Sequence, residues 1–508
     1  MNLKRLLHPR TVIFILIILL LILWRPFADD PESALPTTES PTQTMTGSVP
    51  PTQPSPESDA LIAGPEAVEL MYQISHGGEP QEAIDTVVSA GDKRFIAVFI
   101  EMMRANEIRL LEGAGYRAHV EALEALSGQP FGGDWYAWVE WYGGTDLTPP
   151  PGFTGWKGHV LSVIDPRFGD LLRDEHPSTI RVEEIQWGGV VMDGIPALRN
   201  ADMIPAEQAD YLTPQEPVFG ISINGDHRAY PLRIMDWHEM ANDVVGGVPL
   251  SLAYCTLCGA GIAFDGRASN GETYTFGSSG FLFRSNKLMY DHQTRTLWNQ
   301  ITGEPVLGEL AGSDIQLDLL PVVVTSWESW LEQHPDTKVL DIVTGHERPY
   351  EPGAAYGGYF ASDETMFPVW QRSRLLETKV RVFALRVEDI PKAYPLEVLI
   401  QEQVVNDVIG VTPLVVIAAR GDITVQAFGG QVEYNAGGEV RAYHSEGETF
   451  TPGPDASTVV DSEGNNWQVT EEALVGPNGE LAPRLNGHLA YWFGWYTFFP
   501  GTLLYGEK

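Results

Sequence analysis

The strongest constraint on the fold of this chain is an internal repeat. Residues 218–250 and 382–414 align without a gap at a constant offset of 164, and 12 of the 33 positions are identical. Self-similarity over such a distance is typical of repeated structural units. We therefore predict that the second half of the chain is a duplicated copy of the first, with a unit length close to that offset.

The correspondence continues towards the end of each predicted unit. The segment SWESWLEQHPDTKVL resembles YWFGWYTFFPGTLLY, which pairs Trp327 with Trp492 and Trp330 with Trp495. From about residue 180 onward, short apolar runs alternate with turn residues, as in β-strands. Before that point, apolar residues recur three and four positions apart between Gly and Pro breaks, which predicts stacked helix pairs of HEAT type.

These patterns predict an α+β chain with a helical N-terminal domain followed by two tandem β-rich repeats. The predicted segments are a signal anchor or signal peptide (1–28), a linker (29–60), the helical domain (61–146), a first repeat that carries the cysteines (147–345) and a degenerate second repeat (346–508).

The N-terminus has the features of an export signal. Lys4, Arg5 and Arg10 precede an apolar run, Val12–Trp24, and residues 29–60 are rich in Pro, Thr and Ser. No small-x-small cleavage site follows the run, which favours an uncleaved anchor over a cleaved signal peptide. The flanking positive charges place everything after the anchor outside the cytoplasm. We expect membrane attachment through this segment, or secretion if the segment is cleaved.

Charge excludes some classes of partner. The net charge of −36 argues against binding to nucleic acid or to anionic lipid surfaces. The sequence also lacks a P-loop, a convincing dinucleotide fingerprint and a G-x-S-x-G elbow. It names neither a protein partner nor a small-molecule substrate.

The only cysteines of the chain, Cys255 and Cys258, form a C-x-x-C motif in AYCTLCGAGIAF. The repeat offers an internal comparison, because a residue that only one copy needs for a site is free to be lost from the other. Asn242 and Asp243 persist in the second copy, which indicates a structural role. The polar residues that disappear are Cys255 (Ala419), Cys258 (Asp422), His238 (Glu402), Glu239 (Gln403) and His334 (Phe499), and His292 aligns near Ser462.

Three interpretations of the motif remain open. In a thiol oxidoreductase, Cys255 or Cys258 attacks, the other resolves, and His238 with Glu239 serve as base and orienting acid. In a metal-binding protein, the two thiolates and two of His238, His292 and His334 hold zinc or copper. In a binding or scaffold module, the pair forms one structural disulfide. The apolar LSLAY before the motif and the glycine-rich GAGIAF after it argue against a dithiol at the start of a helix.

Two long stretches, AYPLRIMDWHEMANDVVGGVPLSLAYCTLCGAGIAFD and TFGSSGFLFRSNKLMYDHQTRTLWNQITGEPVLGEL, resemble a bacterial and archaeal family known as domain of unknown function 3179. The resemblance runs from about residue 150 to 345, with the duplicate as a degenerate continuation. It implies no activity, but relatives are similar in being exported or membrane-anchored.

The resemblance favours the redox interpretation. Some members are described as selenoproteins, which implies a redox-active position, and Cys255 and Cys258 are where it would fall in this chain. His238, Glu239 and His334 also follow the family pattern. Relatives often have Arg where this chain has His292, which weakens that histidine as a metal ligand. The metal ligands implied by the second interpretation are therefore His238, Cys255, Cys258 and His334.

Overall fold

The computed structural model describes residues 61–76, 80–110, 115–418 and 420–507. The predicted signal segment and linker lie outside the described residues, as does Ala419. Among the residues described, no helix combines the length and the apolar character that crossing a bilayer requires.

The N-terminal region is helical, as predicted. Its central helix spans Ile96–Glu107 and buries eight of its side chains, because apolar residues occupy nearly every face. Asp134 caps another helix by accepting a hydrogen bond from the Ala137 backbone N–H (3.0 Å). The helices are α1 (Gly64–Ser75), α2 (Gln81–Ala90), α3 (Ile96–Glu107), α4 (Tyr116–Ser127), α5 (Trp135–Gly143), α6 (Phe153–Leu161) and α7 (Phe168–Leu171). The HEAT-like arrangement and the boundary at residue 146 stay predictions.

The rest of the described chain is rich in strands, so the mixed α+β class is confirmed. Its first half contains β1 (Ile185–Trp187), β2 (Leu198–Arg199), β3 (Met203–Pro205), β4 (Pro217–Ile223), β5 (Asp226–Pro231), α8 (Leu232–His238), β6 (Met240–Val245), β7 (Val248–Cys255), β8 (Ala260–Ala268), β9 (Phe276–Phe283), β10 (Asn286–Asp291), β11 (Leu297–Asn299), β12 (Pro305–Leu307), β13 (Leu317–Leu320), β14 (Val323–Ser326), α9 (Trp327–Gln333) and β15 (Lys338–Leu340).

Three five-stranded sheets form in this half. Their strand orders are β1-β9-β10-β11-β12, β13-β8-β7-β6-β2 and β14-β4-β5-β15-β3. Neighbouring strands are mostly antiparallel, and β15 runs parallel to β5. Strands β7 and β9 are buried along most or all of their length, so both faces of the sheets that carry them are covered.

The second half contains α10 (Gly357–Phe360), β16 (Arg381–Val387), β17 (Ile390–Pro395), α11 (Leu396–Glu402), β18 (Val404–Ile409), β19 (Thr412–Ile417), β20 (Asp422–Ala427), β21 (Val432–Gly438), β22 (Arg441–His444), β23 (Thr451–Pro452), β24 (Thr458–Val460), β25 (Asn466–Val469), β26 (Ala473–Val475), β27 (Leu481–Leu485), β28 (Gly487–Tyr491), α12 (Trp492–Tyr496) and β29 (Leu503–Leu504). Its sheets have the orders β28-β16-β17-β29, β18-β19-β22-β27-β26-β25-β24-β23 and β20-β21.

The two halves share a core at the cysteine motif. One buried apolar cluster contains Cys255 and Cys258 from the first half together with Val382, Tyr491 and Trp492 from the second. The backbone of Tyr491 donates a hydrogen bond to the Cys258 carbonyl (2.7 Å). The second half therefore covers the motif of the first half directly.

Candidate functional site

The C-x-x-C motif forms the turn of a β-hairpin. Strands β7 and β8 pair so that Cys255 lies opposite Ala260. The backbone N–H of Cys258 donates to the Cys255 carbonyl (3.2 Å), and Gly259 continues the turn at a left-handed φ of 60°. The motif therefore lies between two strands and not at the start of a helix. The ends of such a turn lie within about 7 Å, which is close enough for a disulfide, although both thiols are free here.

A strained neighbouring turn supplies the partners of Cys258. Arg284 and Ser285, between β9 and β10, both have positive φ (51° and 63°). The Cys258 sulfur lies 3.3 Å from the Ser285 carbonyl oxygen and accepts a hydrogen bond from Asn286 Nδ2 (3.4 Å). Left-handed backbone at non-glycine residues persists only where surrounding contacts hold it. One such contact is the hydrogen bond from Ser285 Oγ to the Pro368 carbonyl (2.5 Å).

The two thiols differ in acidity. Burial raises the pKa of the Cys255 thiol, but hydrogen bonds from the Cys258 thiol and from the backbone N–H groups of Lys287 and Cys258 outweigh burial, and the net shift is downward. Burial and the hydrogen bond to Cys255 raise the pKa of the Cys258 thiol. Of the two sulfur atoms, Cys255 is therefore the one that ionises first, while Cys258 keeps its proton.

A buried ion pair lies next to the cysteine turn. Glu239 ends α8 in a left-handed conformation (φ 55°), and its carboxylate accepts from Thr256 Oγ1 (3.0 Å) and Lys287 Nζ (3.2 Å). Both charged side chains are less than a tenth exposed. Tyr356 reaches the same carboxylate from the second half (3.4 Å). Glu239 is therefore placed beside the dithiol, with one positive charge to balance it.

Asp236 is a second buried carboxyl group near the same ion pair. It is 3% exposed, and among the described residues its Oδ1 atom has no hydrogen-bond partner. Burial, reinforced by the negative charges of Glu239 and Glu216, raises the pKa of Asp236 well above its usual range. The protonated, neutral form is therefore favoured in the folded protein.

Replacement of Asp236 by Asn is expected to remove the loss of unfolding free energy that the buried carboxyl group causes as pH rises. A carboxyl group with a raised folded pKa loses its contribution to stability as pH rises through that pKa, whereas Asn does not titrate. As pH rises above the usual range of an aspartate pKa, the unfolding free energy of Asp236→Asn should rise relative to the unmodified protein, by up to about 1.4 kcal/mol per pH unit for as long as the folded carboxyl group stays protonated. Urea unfolding at several pH values measures this difference. A difference that does not change with pH would show that Asp236 is ionised in the fold.

The structure does not bring the predicted histidines to the dithiol. His238 is fully buried, and its ring nitrogens contact the Pro196 carbonyl (2.8 Å) and the Tyr350 hydroxyl (2.5 Å). His334 stacks on His227 at 4.1 Å. His292 lies against Tyr290 and Arg199. A catalytic role for His238 stays a prediction.

The metal-binding alternative stays a prediction. A tetrahedral site requires four ligands around one point, whereas the ring nitrogens of His238 contact Pro196 and Tyr350, and the ring of His334 stacks on His227. Within the described ranges, no three His, Cys, Asp or Glu side chains are grouped so as to hold a metal ion. A zinc or copper site at His238, Cys255, Cys258 and His334 would therefore need these side chains to move together.

Some residues of the site escaped the sequence analysis. Asp236 was detectable, since the gap-free alignment of residues 218–250 with 382–414 places Ile400 at its position. Asn286 and Lys287 had no such signal, because they reach the dithiol only where the turn between β9 and β10 packs against the cysteine turn. Tyr356 belongs to the connection between the halves, where no pattern predicted a contact.

Comparison with known proteins identifies a family and no characterised relative. The profile of a family described as "Protein of unknown function (DUF3179)" matches residues 192–502. The match covers both halves of the β-rich part, including the region after residue 345 in which the resemblance was expected to be degenerate. No curated protein matches the chain. No solved structure matches it either.

Proposed function

Because this chain belongs to the DUF3179 family of proteins of unknown function, its activity has to be inferred from its own residues, and we propose that it is a thiol-based redox protein. The observation that carries the proposal is the asymmetry of the buried dithiol. Hydrogen bonds lower the pKa of Cys255, and burial raises that of Cys258. One sulfur is thus prepared as a nucleophile and the other as a proton-bearing resolving thiol.

The reaction that fits this pair is thiol–disulfide exchange. The Cys255 thiolate attacks one sulfur of a disulfide RS–SR, the S–S bond breaks, and RS⁻ leaves as a mixed disulfide forms. Cys258 then gives its proton to Glu239 and attacks the Cys255 sulfur, which releases the second RS⁻. Two electrons pass from the dithiol to the disulfide, and the reverse sequence reduces the protein.

Glu239 is placed for the role of proton acceptor. Thr256 Oγ1 binds its carboxylate and belongs to the cysteine turn itself. Lys287 contributes its ammonium group to Glu239 and its backbone N–H to Cys255. A proton that moves from Cys258 to Glu239 therefore stays within one buried network, where Lys287 balances the remaining negative charge.

Burial limits the substrate. Cys255 and Cys258 are 2% and 0% exposed. The hydroxyl of Tyr359 donates to the Leu257 carbonyl in the middle of the turn (2.6 Å). A folded protein disulfide is too bulky for such a turn, so a small disulfide or an equally small oxidant is the better fit.

We also propose that this reaction takes place outside the cytoplasm, on a chain tethered by Val12–Trp24. The basic residues before this apolar run and the linker after it support that topology. Thiols outside the cytoplasm meet oxidising conditions, in which a dithiol can cycle.

A duplication of the β-rich unit is the third part of the proposal. The order strand, strand, short helix, strand, strand occurs in both halves, as β4 to β7 and as β16 to β19. Three side-chain hydrogen bonds of the first half recur at equivalent places in the second. Tyr230 donates to Asp243 (2.7 Å), as Tyr394 does to Asp407 (2.8 Å), and Asn242 donates to the Phe276 carbonyl (2.9 Å), as Asn406 does to the Phe450 carbonyl (2.8 Å). Trp330 donates to Thr337 (2.8 Å), as Trp495 does to Thr502 (2.9 Å). The first unit carries the chemistry, and the second covers it.

Equilibration of the full-length protein in dithiothreitol redox buffers, followed by alkylation and mass spectrometry, tests the proposed function. We expect both thiols to disappear together as one two-electron couple, with a potential well above about −300 mV, below which structural disulfides typically lie. Cys255→Ser and Cys258→Ser should each abolish the reversible change. Glu239→Gln should slow disulfide closure more than His238→Asn does.

Two results would contradict the proposal. A pair that resists reduction at such potentials would be a structural disulfide. Stoichiometric zinc or copper in the purified protein, lost in Cys255→Ser, would instead establish a metal site that involves residues outside those described.

A further inference from the structure

The cysteine turn has two positively charged neighbours on one side. A Cβ atom added to Gly259, the residue after Cys258, would lie 3.1 Å from Arg381 Nη1. The guanidinium of Arg381 also lies over the ring of Tyr491 at 4.6 Å. Lys379 Nζ lies over the ring of Tyr359 at 3.7 Å and over Tyr491 at 4.9 Å. We call Tyr359, Lys379, Arg381 and Tyr491 the cation–tyrosine cluster.

The tyrosines connect this cluster to the dithiol. Tyr359 donates to the Leu257 carbonyl (2.6 Å), and the Tyr491 backbone donates to the Cys258 carbonyl (2.7 Å). Leu257 and Cys258 are two residues of the motif itself. The cluster is therefore in direct contact with the backbone of the turn that carries the two sulfur atoms.

The positive charges of the cluster lack close counterions. Lys379 donates to the carbonyls of Tyr359 and Ser362, and Arg381 donates to the Asn435 carbonyl (2.8 Å) and the Tyr491 hydroxyl (3.2 Å). Among the described residues, neither cation has a carboxylate oxygen within 4.0 Å. Burial, together with repulsion from Arg381, lowers the pKa of Lys379 to about 8.

Unpaired cations are unexpected in so acidic a chain. The sequence has 68 acidic and 32 basic residues, so carboxylates are abundant. The nearest acidic groups that act on them, Asp363 on Lys379 and the buried Asp236 on Arg381, form no direct ion pair with either cation, so a bound anion can add charge compensation. The ring of Tyr359 is only partly buried and offers an apolar surface to the rest of the same molecule, whereas Tyr491 is buried behind it.

We propose that the cation–tyrosine cluster is the subsite that selects small anionic disulfides as substrates of the dithiol. This inference rests on the proposed thiol–disulfide exchange. Lys379 and Arg381 attract the acidic groups of the substrate, and the partly buried ring of Tyr359 holds its carbon chain beside the turn, while Tyr491 supports the two cations from the core. The substrate disulfide is reduced to two anionic thiols as the dithiol becomes a disulfide.

Three aliphatic disulfides of different charge test the subsite. They are 3,3′-dithiodipropionate with two carboxylates, neutral 2-hydroxyethyl disulfide, and cystamine with two ammonium groups. At low ionic strength we expect the reduced full-length protein to react about tenfold faster with the dianion than with the dication. The double variant Lys379→Gln/Arg381→Gln should lose most of that preference, and Lys379→Arg/Arg381→Lys should keep it.

A matched control separates the effect of the charges in the cation–tyrosine cluster from the effect of the net charge of the protein. The double variant Arg267→Gln/Arg374→Gln removes the same charge from exposed positions and should keep the preference. Equal rates for all three disulfides, or a preference unchanged in Lys379→Gln/Arg381→Gln, would overturn the subsite alone. Failure of the dithiol to react with any of them would overturn the proposed exchange itself. Thermal unfolding of each variant confirms that the fold is intact.

Discussion

Acidification from pH 7 to pH 5 is expected to cost this protein several kcal/mol of unfolding free energy, because the fold buries neutral histidines. Burial lowers the pKa of His119, His238 and His488 to about 4. All three are less than a tenth exposed. The unfolded chain therefore binds protons below pH 6.5 that the folded protein does not, and stability falls as pH falls towards the folded pKa.

The size of this effect follows from the pKa difference. Each unit of pKa difference is worth about 1.4 kcal/mol, so each histidine removes about 2 kcal/mol between pH 7 and pH 5. The three together amount to about 6 kcal/mol, which is a large share of the stability of an ordinary domain. Asp236 acts in the opposite direction, since protonation favours its buried form.

Single variants isolate the histidine contributions. His488→Phe and His119→Phe keep a ring against Trp495 and Phe99, respectively, and remove the titrating group. Relative to the unmodified protein, the unfolding free energy of each variant in urea should rise by about 2 kcal/mol between pH 7 and pH 5. Ile417→Val changes a buried side chain that does not titrate, so its unfolding free energy should differ from that of the unmodified protein by the same amount at pH 7 and at pH 5. Parallel pH dependences for the histidine variants and the unmodified protein would contradict the argument.

Replacement of Lys287 by Met is expected to destabilise the protein by about 3 to 5 kcal/mol, because it leaves a buried carboxylate unpaired. The ammonium group of Lys287 lies 3.2 Å from Glu239 Oε2 and 3.3 Å from the Glu239 carbonyl. The two side chains are 4% and 9% exposed, so water cannot replace the lost partner. Methionine has a similar length and fills the space that the lysine chain leaves.

A double-mutant cycle tests the origin of this effect. Lys287→Met/Glu239→Gln removes both charges and should recover most of the stability that Lys287→Met loses. Urea unfolding of the four proteins measures the coupling. Additive losses would show that the cost comes from packing and not from the charge pair. The coupling also bears on the proposed reaction, since Glu239 is its proton acceptor.

The strand before the cysteine motif could be predicted from the sequence, whereas the partners of the cysteines could not. LSLAY indicated a strand and the glycines after the motif argued against a helix, in agreement with β7 and with the turn that follows it. By contrast, Asn286 and Lys287 reach the sulfur atoms from about thirty positions away, because the turn between β9 and β10 packs against the cysteine turn. Local patterns carry no information about such contacts.

His238 and Glu239 point to different parts of the structure because of the local backbone conformation, which the sequence does not reveal. The two residues are neighbours in the chain, and the sequence analysis predicted that they act at one site as base and orienting acid. The helix α8 ends between them, and Glu239 takes a left-handed backbone conformation. The side chains therefore diverge, His238 towards Pro196 and Tyr350, and Glu239 towards Thr256 and Lys287.

The sequence by itself determined the family, the mixed α+β class and the position of the dithiol. These features depend on periodicity, composition and motif identity, which are properties of the chain alone. Only the tertiary structure decided that Glu239 and Lys287 lie next to the cysteine turn, that His334 packs on His227 instead, and that Lys379 and Arg381 lie beside that turn. The physical reason is that burial, pKa and charge pairing depend on contacts between distant segments, and these contacts arise from packing within the first half as well as from packing of the second half against it.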